Sequence, residues 1–153
     1  MSLFTQINND IKEAMRNKEK SKLEALRAIK AAFLTAKTEK GNSGELTEDS
    51  ELKIIQKLVK QRKDSAELYK SNNRPELFEK EIAEALIIEK YLPKQLSEDE
   101  IAIVIESIIS DLGVTEPKDM GKVMGVASKK LSGKAEGRII AQKVKEILNS
   151  LNK

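Results

Sequence analysis

A proline break limits what this chain can fold into more than any other feature. In YLPKQLSEDE, residues 91–100, Pro93 lacks the N–H that would continue a helix and biases Leu92 away from the α region. Ser97 and Glu100 then form a capping box, and an apolar run starts at once. One helix must end before this segment and another must begin just after it. On both sides apolar residues recur at spacings of three and four, the period of helices buried along one face.

Before the break the spacing predicts four helices. Ser2 caps the first, whose inward face is Leu3, Phe4, Ile7, Ile11, Ala14 and Met15. Residues 16–22 form a polar corner. A second helix over about 21–37 turns Leu23, Leu26, Ile29, Phe33 and Leu34 inward, which makes an antiparallel hairpin with the first. Residues 38–46, TEKGNSGEL, read as a mobile loop. Thr47 caps a long third helix with the stripe Leu52, Ile55, Val59, Ala66 and Tyr69, broken at Arg62. Its basic run of Lys57, Lys60, Arg62 and Lys63 reads as a solvated helix face. Asn73 is placed to cap the fourth helix, with Pro75 in its first turn and Phe78, Ile82, Ala85 and Leu86 inward.

After the break three more helices are expected. The fifth covers about 98–112, with Ile101, Val104, Ile105, Ile108 and Leu112 on one side and Gly113 as a left-handed cap. Pro117 opens the sixth, which ends near Leu131, and the seventh reaches about Leu151 with Ile140, Val144, Ile147, Leu148 and Leu151 inward. Leu92 and Leu96 are positioned to pack across the joint. The expected fold is therefore all-α: an N-terminal four-helix subdomain (1–93) joined by a proline hinge to a C-terminal three-helix bundle (94–153). Composition agrees, since 35 % of residues are charged and only 3 % aromatic, a balance that suits solvent-laced helices better than sheets.

The chain contains no His, no Cys and no Trp. Tetrahedral zinc sites and Cys–His or Ser–His nucleophile pairs are thereby excluded, and the commonest general base near neutral pH is missing. Neither GxxxxGK[ST] nor GxGxxG occurs. No catalytic residue, metal or cofactor is expected. The absence of cysteine, of a long apolar run and of a secretory pattern leads to the expectation of a cytoplasmic protein without membrane contact.

The positive charge is segregated. Residues 97–116 carry six acids and no base, whereas 118–145 carry eight bases and two acids. Within the second region, KDMGKVMGVASKKLSGKAEGR (118–138) places Met120, Val123, Met124, Ala127 and Leu131 on one helical face. Gly121, Gly125 and Ser128 fall along its flank, and Lys118, Lys122 and Lys129 lie further round. A glycine inside a helix costs about 0.5–1 kcal/mol relative to alanine, so two of them call for close approach by another backbone. That backbone is either a neighbouring helix or a nucleic-acid strand with the lysines as counter-charges. No aromatic residue occurs between 92 and 153, which disfavours stacking on unpaired bases and favours backbone readout of folded RNA.

Four segments together, VKQRKDS (59–65), YLPKQLSEDE (91–100), DMGKVMG (119–125) and GKAEGR (133–138), resemble the YqeY family. That family shares its GatB/YqeY domain with the tail of the B subunit of glutamine-dependent aspartyl/glutamyl-tRNA amidotransferase. The resemblance implies two helical subdomains and a tail that touches transfer RNA away from the catalytic centres. It therefore implies a non-catalytic tRNA-binding or translation-associated module. The rival it implies is an accessory protein of glutamine-dependent amidotransfer, a carbon–nitrogen ligase activity with glutamine as amido-N-donor. The partners implied are tRNA or other folded RNA, and amidotransferase or aminoacyl-tRNA machinery. By this resemblance the RNA-contacting residues are Lys122, Gly125, Lys129, Lys134 and Arg138, to which the spacing of the strip adds Lys118 and Gly121. Glu136 departs from the family's usual GKADG, and its longer carboxylate caps a helix less well.

Overall fold

Local chemistry sets the helix ends in the computed structural model, which describes residues 2–39 and 46–151. The described residues are all-α, with seven α-helices, one 3-10 turn and no strand. The loop expected at 38–46 falls largely outside them; Thr38 itself belongs to the second helix, and Leu46 and Thr47 lead into the third.

Helix α1 (Leu3–Arg16) starts where the Ser2 hydroxyl accepts the Thr5 N–H at 3.2 Å. It ends with Lys18 in the left-handed region at φ 57°, so that the Glu19 N–H reaches the Ala14 carbonyl at 3.0 Å. This is a Schellman closure made without glycine. α2 (Lys20–Glu39) follows directly and packs against α1. Thr47 caps α3 (Glu48–Ser71), whose first turn carries Glu48, Asp49 and Glu51.

The corner between α3 and α4 (Pro75–Glu89) differs from the sequence expectation. Asn73 does not cap α4. It takes the left-handed conformation at φ 58° to end α3, and Arg74, with no side-chain cap, precedes Pro75. The amide-bearing side chain tolerates that conformation better than most residues, and closing α3 takes precedence over starting α4.

The chain clusters into two compact units, Met1–Leu92 and Pro93–Lys153. The first holds α1–α4 around Ile7, Leu26, Ile29, Phe33, Ile55 and Ile88. Leu92 packs on this core, while Leu96 packs on that of the second unit, so each serves its own unit. Met15, Leu34 and Leu86, expected to face inward, remain exposed because they sit at the edges of their apolar stripes.

Four side-chain contacts lock the first unit. Glu51, the one buried charged residue among those described, accepts the Phe4 N–H at 3.1 Å and so satisfies an orphan donor at the positive end of α1. Phe4 packs near Phe33, with ring centroids 6.4 Å apart, and Lys37 Nζ lies 3.7 Å from the Phe4 centroid. The Tyr91 hydroxyl donates to Asp10 at 2.5 Å. Burial, reinforced by that carboxylate, pushes the Tyr91 phenol well above its ordinary pKa.

The second unit contains α5 (Glu98–Leu112), α6 (Met120–Lys130) and α7 (Gly137–Leu151) around Ile101, Ile105, Ile108, Val123, Leu131 and Leu148. The Ser97–Glu100 capping box is complete, at 3.2 Å and 3.1 Å. Gly113 closes α5 at φ 66°, as its position predicts. Leu112 and Leu151 are exposed although their spacing predicts burial. No described helix is long and apolar enough to cross a membrane.

Candidate nucleic-acid interface

The sixth helix is short because its start and stop are both marked. Pro117–Asp119 form the 3-10 turn, which leads into α6 at Met120, and Leu131 ends the helix. Val123, Ala127 and Leu131 are buried, with Met120 and Met124 packed partly against the same core. Each residue advances about 100° around the axis. Lys122, Gly125 and Lys129 therefore fall on the side opposite that core, and all three are exposed, as is Lys118 in the preceding 3-10 turn. Gly121 and Ser128, also exposed, lie on the adjoining flank.

The glycines settle one of the alternatives left open by spacing. A Cβ added at Gly121 or at Gly125 would meet nothing within 4 Å. No described residue comes that close, so packing against a neighbouring helix of this unit is not the reason for these residues. The face is a shallow, side-chain-poor strip open to solvent, with Gly125 between Lys122 and Lys129.

Charge pairing divides the candidate cations. Lys118 Nζ lies 3.0 Å from Glu116, and the Arg138 guanidinium 3.9 Å from Glu136. Lys122, Lys129 and Lys134 make no ion pair with any described residue, and α6 itself contains no acid at all. The free lysines are therefore full counter-charges for an anion, while Lys118 and Arg138 would have to exchange one carboxylate for another ligand. Lys134 and Arg138 are not on the α6 face; they lie in the following turn and at the start of α7, and both are exposed.

That turn is held by a contact that sequence reading missed. Gly133 is left-handed at φ 74°, and its carbonyl accepts from Gln95 Nε2 at 2.7 Å. Gln95 also donates to the Pro93 carbonyl at 2.9 Å, and the Leu96 N–H reaches the Lys134 carbonyl at 3.0 Å. Segments 93–96 and 133–134 thus brace each other, and Gln95 orients the backbone that carries Lys134. Lys130, exposed and unpaired among the described residues, is a further cation absent from the sequence-based set. Its signal was only its place beside Lys129. The described residues contain no group of three or more acids disposed to hold a metal ion.

A model of the family described as "Yqey-like protein" matches residues 4–148. The chain belongs to that family. Among its relatives is a protein of Pyrenophora tritici-repentis named "Altered inheritance of mitochondria protein 41, mitochondrial", 32 % identical over 97 % of this chain and 82 % of the relative. Proteins of the same name from Lachancea thermotolerans and Clavispora lusitaniae are 29 % and 34 % identical. Those matches cover 72 % and 60 % of this chain, and only 60 % and 52 % of the relatives' own length. The expectation of a cytoplasmic protein is overturned by these names, all three of which are mitochondrial. A cysteine-free composition without a membrane span describes any reducing aqueous compartment equally well, which is why it misled.

Proposed function

We propose that this YqeY-family chain is a non-catalytic module that binds folded RNA, with transfer RNA as the leading candidate, through the outward face of α6. The observation that carries this reading is the open strip at Gly125, where a Cβ would meet nothing within 4 Å, flanked by Lys122 and Lys129 without carboxylate partners. Helix-breaking glycines that pack against nothing in their own chain are explained if a partner backbone lies along them. Lysines set on either side then neutralise its phosphates. With no aromatic residue in 93–153, the contact is to backbone and shape. The resemblance to the amidotransferase tail points to the same ligand class. Pro93, at the start of the second unit, is proposed as the hinge that lets 94–153 act as a separable module.

The test is capture of partners from a lysate with and without ribonuclease, followed by direct titration with purified transfer RNA at several salt concentrations. Recovery of RNA, and affinity that falls steeply with salt, support the reading. Protein partners that survive ribonuclease, together with no affinity for transfer RNA, would favour the accessory role in amidotransfer instead.

A further inference from the structure

The opposite charge of the second unit gathers around a different feature. Between the C-terminal ends of α5 and α7 lies an open groove of about 600 Å³ with a mainly apolar floor of Ile109, Val114, Ile147 and Leu151. Its acids, Glu106 and Glu146, come from the two helices that form its walls. Ile109 belongs to the core, but Leu151 is 52 % exposed although it is one of the largest apolar side chains there. Gly113, in its left-handed turn, carries the chain round so that Val114 closes one end of the floor.

Among the described residues no base lines this groove. Glu106 makes no ion pair with a described residue, whereas Glu146 meets the Lys143 ammonium at 3.6 Å and accepts from Gln142 Nε2 at 3.3 Å. Asp111 lies in the last turn of α5, no base occurs in 97–116, and the last carbonyls of α5 add partial negative charge at the same end. An apolar floor alone would accept any hydrophobic occupant. An apolar floor bordered by two acids, of which Glu106 pairs with no described base, selects an occupant whose apolar face is bordered by cations.

We infer that this groove docks a basic amphipathic helix of a partner protein. Its aliphatic residues at one-turn spacing fill the floor over Ile147 and Leu151, and its Lys or Arg side chains meet Glu106 and Glu146. The groove is open to solvent where an enclosed cavity would be closed, which suits the side chains of a docked helix. This site lies on α5 and α7, and it does not rest on the RNA reading of α6.

The test uses the full chain and a fluorescent synthetic amphipathic helix of leucine and lysine, with a control in which glutamate replaces every lysine. Anisotropy should show binding of the lysine peptide and none of the glutamate peptide, and amide shifts should concentrate on residues 106–115 and 146–151. Glu106→Lys and Leu151→Asp, both at exposed positions, should each weaken binding by about tenfold, with helicity and melting unchanged. The same charge change at exposed Glu13, in the other unit, should leave it unaltered. Equal binding of the two peptides, or equal loss from Glu13→Lys and Glu106→Lys, would overturn the inference. So would concentration-dependent self-association abolished by Leu151→Asp, because the groove would then be filled by a second copy.

Discussion

Helices α3 and α6 both display runs of cations, yet their charges are in different states. On α3, Lys60 is 2.8 Å from Asp64 and Lys63 is 3.3 Å from Glu89, while Arg62 is half-buried with its Nε enclosed and unpartnered among the described residues. Exposed Lys57 alone of the run resembles the α6 lysines in pairing with no described acid. On α6 no acid is present within the helix, and Lys122 and Lys129 stand free beside a glycine that nothing covers. Exposed pairs such as those on α3 contribute little to stability, about 0–1 kcal/mol each. Their consequence is electrostatic: they cancel the field that a polyanion would feel. The same residue types therefore make a solvated surface in one place and a candidate binding face in the other. Availability of charge, more than its count, separates the two helices.

The comparison breaks altogether if the two units do not fold separately. Residues 94–153 expressed alone should give a cooperative helical melt, at low temperature because a lone core below about 70 residues is marginal. A fragment without any cooperative transition by circular dichroism would show that the cores depend on each other and that Pro93 is no hinge.

Charge reversal gives the next largest effect. Lys122→Glu with Lys129→Glu should weaken transfer-RNA binding by about tenfold or more, and each lost phosphate contact should flatten the dependence of log K on log salt by about 0.7–0.9. Melting should not change, since neither lysine contacts the core. The same reversals at Lys60 and Lys63 should leave RNA affinity where it was. Equal losses from the two helices would remove the distinction drawn here.

Within the first unit the test falls on its buried carboxylate, Glu51. Glu51→Ala leaves the Phe4 N–H without its acceptor and should cost about 1–3 kcal/mol in urea unfolding of the full chain. Glu51→Gln, which keeps an acceptor oxygen, should cost less. An exposed acid of similar position, Glu48, should give a much smaller change when truncated.

Gly125→Ala sharpens the contrast from the side of α6. With open space around the new Cβ, it should stabilise the second unit by about 0.5–1 kcal/mol. If RNA lies along the strip, the same substitution should reduce RNA affinity with no change in charge. Destabilisation would instead point to packing that this structure does not contain.

The smallest expected effect is confined to alkaline pH and to the first unit. Because the Tyr91 phenol has a raised pKa in the folded protein, its contribution to stability is complete below the ordinary tyrosine value near 10. That contribution declines as pH rises from there through the folded value. Denaturant midpoints measured from neutral to strongly alkaline pH should fall more gently in Tyr91→Phe than in the parent. Identical alkaline slopes would mean that the Tyr91–Asp10 contact contributes nothing.

Much of this molecule could be read from residues a few positions apart. Ser2, Thr47, Ser97 with Glu100, and Gly113 mark helix ends by chemistry that operates within one turn, and apolar spacing assigns the buried faces. The face of α6 was legible for the same reason, down to Lys122, Gly125 and Lys129 lying off the core. Two corners were less legible: Lys18 and Asn73 take left-handed conformations without the glycine that usually announces them. Stripe-edge residues such as Leu34, Leu86 and Leu151 were misplaced because periodicity gives a direction on one helix and says nothing of how far its neighbours extend.

Tertiary structure alone decided which charges are free and which small residues are covered. Lys63 meets Glu89, Glu51 reaches Phe4, and Gln95 grips the turn at Gly133 across long sequence separations. Whether a helical glycine admits a neighbouring helix or faces open solvent is likewise a property of everything that packs around it. Caps and periodicity are local interactions, written where they act. Neutralisation and close approach depend on pairs of residues that only the completed fold brings together.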